Sequence, residues 1–291
     1  MMRILLGGII LLSACLVAIS AQAQNPWVLY DDFNSEFMDI NNWNTSQRID
    51  AGVTILEYVR ELHGGRFHMM SRAFGRIAEP PGNPPNAAGD INANFSVGEP
   101  FKSLKVSVKV NDVEVTDCLD SNTTPSYSRA RLVGFFFKIA KDGTQPEGRT
   151  DDILVQIRIQ RSSDSADKPQ LLEVLGEVVK CTDSQCLGAI GIGIPAVSLG
   201  NIMLGQWATI EIDWNGYTQF NLNLNKEPTH FFNVTIPDGY HLGRGTYPAA
   251  TLGVSHRIAN CPSDERAMGL IDAEFDNLFI SEYPNPYRKG C

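Results

Sequence analysis

Val155-Gln-Ile-Arg-Ile-Gln-Arg161 decides the fold. Val155, Ile157 and Ile159 fall on one side of an extended chain and Gln156, Arg158 and Gln160 on the other, because successive side chains of a strand point to opposite faces. The same two-residue period returns in Lys105-Val-Ser-Val-Lys-Val110, where Val113 and Val115 carry it on, in Thr209-Ile-Glu-Ile-Asp-Trp214 and in Phe220-Asn-Leu-Asn-Leu-Asn225. Each such run presents one face to a core and the other to water or a ligand. Between Arg129 and Ala140, Val133, Phe135, Phe137 and Ile139 share one face, while Gly134 and Phe136 lie on the other. That run predicts a strand covered on both sides.

Turn chemistry punctuates these runs. His63-Gly64-Gly65 predicts a hairpin between Ile55–Leu62 and Arg66–Arg72, and Asn215-Gly216 another between the Trp214 and Phe220 strands. Lys141-Asp142-Gly143 ends the aromatic strand, and Glu79–Gly89, with Pro80, Pro81, Pro84 and Pro85, reads as a loop. Ser35 to Trp43 is compatible with one short helical turn, and long helix-period stretches are absent. With no linker and no internal repeat, the expectation is one all-β domain over residues 25–291, a two-sheet antiparallel sandwich.

The chain has 291 residues, a net charge of −9, 43% hydrophobic and 20% charged residues. This balance excludes a disordered acidic tail. With no basic block, it also argues against a partner bound through a nucleic-acid phosphate backbone.

Arg3 precedes an apolar run from Ile4 to Ser20, and Ala21-Gln22-Ala23 supplies the small residues a signal peptidase requires, so residues 1–23 read as a secretion leader. A competing reading takes Leu12-Ser-Ala-Cys15 as a lipobox that tethers the protein to an outer membrane through a lipidated Cys15. Either way the mature chain is extracellular or periplasmic and meets an oxidising environment. Five cysteines then compete for pairing. Cys181 and Cys186 close a tight loop and are the first choice for a disulfide. Cys118 and Cys261, both after strand-like runs, are the second, which leaves Cys291 free or intermolecular. No metal-binding cysteine or histidine spacing accompanies them.

Leu187 to Leu204 carries no charge and is broken by glycines and Pro195. It reads first as a loop packed over the sandwich. An apolar patch that meets an envelope or protein partner is the alternative, and a membrane span is disfavoured by its Gly and Pro content.

Three segments together resemble the concanavalin A-like lectin/glucanase superfamily in its laminin-G-like or laminarinase-like form. The opening Asp31-Asp32-Phe33, Asp39 and Trp43 is similar to a D-D-F-x(5)-D-x(3)-W start. Gly205-Gln-Trp207-Ala-Thr-Ile210-Glu-Ile212 is similar to a G-x-W-x-x-I-x-I strand, and Phe275-Asp276-Asn277 to an F-D-N closing strand. The resemblance implies a jelly roll whose first and last strands are neighbours, and a carbohydrate partner. Members of the superfamily bind, cleave or adhere, so fold alone leaves three functions open: a lectin-like module, a glycoside hydrolase or lyase, or an adhesive envelope protein.

Candidate site residues follow. Glu173-Val-Leu-Gly-Glu177 is similar to the two-carboxylate strand of laminarinase-type hydrolases, but Leu175 stands where their central Asp is expected. Two solvated carboxylates are the plain alternative. The resemblance also implies a structural calcium at Asp276, with Asp32 on the neighbouring strand. The alternative there is a capped bulge. Tyr240, His241, Arg244 and Tyr247 lie in a Gly-containing loop able to stack on and hydrogen-bond to sugar, and Gln156, Arg158 and Gln160 would make a polar floor. A packed surface loop and a solvated strand face are the alternatives.

Overall fold

A computed structural model describes residues 27–49, 54–77, 86–96, 101–118, 125–165, 168–191, 196–227, 230–246, 250–262 and 265–282. The leader, Cys15, Tyr247 and Cys291 lie outside them. Among the described residues there is no helix, so none is long and apolar enough to cross a membrane.

Among the described residues, seventeen strands form two antiparallel sheets. The eight-stranded sheet runs β14 (His230–Asn233), β13 (Gln219–Leu224), β12 (Trp207–Trp214), β6 (Phe101–Val115), β17 (Met268–Glu282), β4 (Phe67–Phe74) and β3 (Thr54–Leu62), with β1 (Trp27–Asp31) also paired to β17. The nine-stranded sheet runs β10 (Ala189–Gly191), β9 (Leu171–Cys181), β8 (Asp152–Ser162), β7 (Tyr127–Lys141), β16 (Ala250–Ala259), β5 (Asn86–Phe95) and β2 (Trp43–Ile49). There β11 (Val197–Met203) also pairs with β9, and β15 (Tyr240–Arg244) with β7. First and last strands are hydrogen-bonded neighbours, Trp27 opposite Ser281 and Val28 opposite Ile280.

The alternating runs put their apolar faces together. Leu104, Val106 and Val108 of β6 and Ile210 and Ile212 of β12 share one core with Val155, Ile157 and Ile159 of β8 and Leu252 and Val254 of β16. Burying one such side chain contributes about 1.5–3 kcal/mol before chain entropy is set against it. The opening motif explains itself here. Asp31 accepts hydrogen bonds from the Trp43 indole (2.6 Å) and from the Phe33 backbone N–H (2.7 Å), and Phe33 turns into the core at positive φ. Phe33 packs on Phe67, and Phe67 on Phe275 of the closing strand, so the opening and closing motifs meet through one ring.

Both favoured disulfides are present, Cys118–Cys261 and Cys181–Cys186. Ser35 to Trp43 closes in a single turn, the Asp39 carbonyl accepting the Asn42 N–H at 3.0 Å and the Trp43 N–H at 2.9 Å, as expected. Three local expectations are corrected. The reading of Glu79–Gly89 as loop fails at its end, since Asn86–Gly89 belongs to β5. Leu187–Leu204 is not simply a loop over the sandwich: residues 189–191 and 197–203 are strands on the free edge of β9. The aromatic strand also loses its alternation, because a bulge between Phe135 and Phe137 lets Phe136 and Phe137 both enter the core, while Val133 and Phe135 stay on the outer face.

Candidate functional site

The outer face of the nine-stranded sheet is where polar side chains are buried with no element over them among the described residues. Register aligns it in three rows across five strands. The first is Asp90, Ser255, Arg129, Gln160 and Glu173. The second is Asn92, Gly253, Arg131, Arg158 and Leu175. The third is Asn94, Thr251, Val133, Gln156 and Glu177. Asp90, Asn92, Asn94, Gln156, Gln160, Thr251 and Ser255 are all buried. The side chains of an isolated flat sheet face would be wet, so burial here means that longer neighbours wall in a depression.

A cleft of about 730 Å³ opens on this face, lined by Asp90, Asn92, Asn94, Arg131, Val133, Phe135, Leu154 and Thr251 and bordered by residues 184–187. Its floor is a hydrogen-bond lattice. Arg131 pairs with Asp90 at 3.1 Å and donates to Asn92 Oδ1 at 3.2 Å. The Thr251 hydroxyl donates to Asn94 Oδ1 at 2.8 Å, and Asn94 Nδ2 to Ser46 at 3.0 Å. Gly253 keeps the middle row low: a Cβ there would sit 2.4 Å from Asn92 Oδ1. The other half is apolar, where Val133, Phe135 and Leu154 pack on the Cys181–Cys186 disulfide, and the Arg149 guanidinium lies over the Phe135 ring at 3.6 Å. The border loop is held by Asp183, whose carboxylate accepts the backbone N–H groups of Gln185, Leu187 and Gly188. These bonds, those to Gly188 and Leu187 first, lower its pKa.

The sequence-derived candidates fall in three places. Gln156, Arg158 and Gln160 are on this face beside the cleft, as are Glu173 and Glu177. Glu177 accepts hydrogen bonds from Arg158 (2.7 Å) and Gln156 (2.8 Å). Leu175 stands between it and Glu173, and the strand rise sets the two backbones about 13 Å apart. Two-carboxylate glycoside hydrolysis needs carboxyls roughly 5–9.5 Å apart.

Tyr240, His241 and Arg244 are on β15, a strand rather than a loop, paired to the far half of β7. Tyr240 packs toward the core, His241 pairs with Asp142 at 2.9 Å, and Arg244 borders a separate apolar pocket of about 320 Å³ with Phe136, Phe137, Trp214 and Leu242. The structure therefore separates this set from Gln156, Arg158 and Gln160. Asp32 lies near enough to Asp276 for its charge to act on that carboxyl. Burial first, then the charge of Asp32, raises the Asp276 pKa, while the Asn277 N–H and Arg66 oppose the rise. Asp276 lies where the β17 register shifts, with Asn277 at positive φ. Among the described residues, no group of three or more His, Cys, Asp or Glu could hold a metal.

Asp90, Asn92, Asn94, Thr251, Arg129 and Arg131 were not singled out by the sequence reading. The signal was present in Asp90-Ile-Asn-Ala-Asn-Phe95, which alternates polar and apolar residues directly after the proline-rich segment.

No family model matches the sequence, and no curated protein matches it. Solved structures similar to the chain include an endo-acting O-glycanase of the human gut microbiota (12% identity, 86% of this chain and 91% of that one, TM-score 0.40). Two others are porphyranase B of Zobellia galactanivorans (10%, 86% and 93%, TM-score 0.39) and the Emp47p carbohydrate recognition domain (12%, 86% and 94%, TM-score 0.32). With two antiparallel sheets packed face to face and first strand beside last, the chain is an all-β two-sheet sandwich of jelly-roll type.

Proposed function

We propose that the protein is an exported carbohydrate-binding module that holds a glycan on the outer face of the nine-stranded sheet without cleaving it. The observation that carries this reading is the floor of buried amide, hydroxyl and guanidinium groups on a face that no described element covers. Such groups recognise hydroxyl-bearing ligands by hydrogen bonding, and the adjoining Val133, Phe135 and Leu154 offer an apolar surface to the ring carbons of a sugar. The disulfides Cys118–Cys261 and Cys181–Cys186 accord with an oxidising compartment.

Affinity electrophoresis against a panel of polysaccharides, with a reducing-end assay on the same mixtures, tests the proposal. Retardation without new reducing ends is expected, and Asn94→Leu should abolish it. New reducing ends lost in Glu173→Gln and Glu177→Gln would replace it with the hydrolase reading, for which the shared face of the two carboxylates speaks. No retardation by any polymer would favour adhesion through residues 187–204, where Leu187, Ile190 and Met203 are exposed.

A structural calcium between Asp32 and Asp276 belongs to the same proposal, supported by the charge of Asp32 acting on the Asp276 carboxyl, an effect a cation would relieve. Backbone carbonyls would complete the ligand set. Melting with and without chelator is expected to show a lower transition without calcium, and an unchanged transition removes the metal from the account.

A further inference from the structure

Beyond the cleft, the first and second rows and the Arg257–Tyr127 pair next to the first gather four arginines on one face of a chain of net charge −9. Arg129 and Arg131 are two residues apart on β7, Arg158 is opposite Arg131 on β8, and Arg257 is opposite Tyr127 on β16. Two of these charges are matched within the protein, Arg131 by Asp90 at 3.1 Å and Arg158 by Glu177 at 2.7 Å. Arg129 has neutral partners only: its Nε donates to the Ser255 hydroxyl at 2.6 Å, and its guanidinium lies 4.9 Å from the Tyr127 ring centroid. Among the described residues no carboxylate lies within ion-pair distance of Arg129 or of the exposed Arg257. Arg131 Nε, Arg158 Nε and Gln160 Oε1 are buried with no hydrogen-bond partner. Buried polar atoms of a folded protein are nearly always paired, so three orphans in one patch mark a surface that its own groups do not complete.

We propose that this patch takes an anionic substituent of the glycan, a carboxylate or a sulfate, held between Arg129 and Arg257 beside Tyr127 and Gln160. This deepens the binding reading and rests on it. A planar guanidinium matches both oxyanions with paired N–H donors, and the partly desolvated floor strengthens each bond. The existing field is arranged for a negative charge. Burial would raise the Tyr127 pKa, yet the summed charge of Arg129, Arg257, Arg158 and Arg131 outweighs it and lowers that pKa. Burial lowers the pKa values of Arg131 and Arg158, and the positive charge of Arg129 lowers them further, a repulsion that an intervening anion would relieve.

The test is affinity electrophoresis of the full chain against three polymers at low and high salt: polygalacturonate, a sulfated galactan and a neutral β-glucan. At least one acidic polymer should retard the protein more than the neutral one, with retardation falling as salt rises, and the polymer that does so distinguishes carboxylate from sulfate. Arg129→Gln should weaken binding about tenfold or more, as expected for loss of a charge-assisted pair. Arg257→Gln, at an exposed position where folding is insensitive, should weaken it in the same direction, and Lys226→Gln, on the far end of the other sheet, should not. Acidic polymers bound no better than neutral glucan, or wild-type affinity in both arginine variants, overturns the inference. If neutral glucan is then bound and Asn94→Leu abolishes that binding, the glycan-binding face stands and only its anion preference falls. If no polymer binds, the binding reading itself has failed.

Discussion

The two sheets carry charge on their outer faces in opposite ways. On the eight-stranded sheet, Lys109 and Arg66 both reach Glu274, at 2.7 and 3.0 Å, and His68 lies between Glu61 and Asp272. Lys105 covers the Trp27 ring at 4.1 Å. These are partly exposed side chains that satisfy one another in reach of water. On the nine-stranded sheet the polar groups are shorter, buried and arranged in rows, and two of the four arginines find no carboxylate among the described residues. Charge by itself therefore does not locate a site on this molecule. Burial on a face that no described element covers, combined with incomplete pairing, does.

The sharpest way to break this contrast is to remove one charge from each face. Arg131→Ala removes one charged partner from buried Asp90 and should cost about 3–5 kcal/mol in denaturant unfolding. Glu274→Ala on the opposite face should cost about 1 kcal/mol or less, because solvent screens its pairs. Equal losses would erase the distinction between the faces.

A third environment, the interior behind the cleft, gives the next effect. His256 is buried with Nδ1 against the Ser128 hydroxyl at 2.8 Å. Burial pushes its pKa down to about 4, with the charge of Asp90 opposing the fall. The fold thus holds neutral imidazole, while the unfolded chain protonates near 6.5. Stability from this group is complete above pH 6.5 and is lost as pH falls towards 4, by about 3 kcal/mol at the acid limit. Urea unfolding from pH 7.5 to 4 should show that loss, and His256→Gln should flatten its share of the slope. An unchanged slope would place the acid sensitivity elsewhere.

A smaller effect sharpens the account of the floor. Gly253→Leu puts a side chain where its Cβ would meet Asn92 Oδ1 at 2.4 Å and the Ile91 carbonyl at 2.8 Å. A destabilisation of about 1–3 kcal/mol is expected from overpacking. Glycan retardation should be lost beyond what the stability change explains. Retained binding would move the ligand off the middle row.

Much of the scaffold was legible before the coordinates. Val155–Gln160, Lys105–Val110 and Thr209–Trp214 form strands where their period placed them, His63-Gly64-Gly65 turns a hairpin, and the two favoured cysteine pairs are bridged. The candidate site was legible only in part. Gln156, Arg158 and Gln160 were recognised as one face, but Asp90, Asn92 and Asn94 went unread: the Glu79–Gly89 loop reading took in the first residues of β5, and the short alternating run after it was passed over. The Tyr240–Arg244 segment looked like a sugar platform because it is rich in aromatic and polar residues. Pairing with β7 instead turns Tyr240 toward the core and Arg244 to the apolar pocket.

What this sequence determined by itself is local: a two-residue period makes strands, glycines make turns, and an apolar face opposite a polar one makes a sandwich. What only the tertiary structure decided is which polar face becomes a floor. Asp90 meets Ser255, Ser255 meets Arg129 and Arg129 meets Gln160 through register between strands far apart in the chain. Alternation assigns each side chain a side, but carries no information about its neighbour across the ladder. Those neighbours, and the charges they leave unmatched, exist only once the sheet has formed.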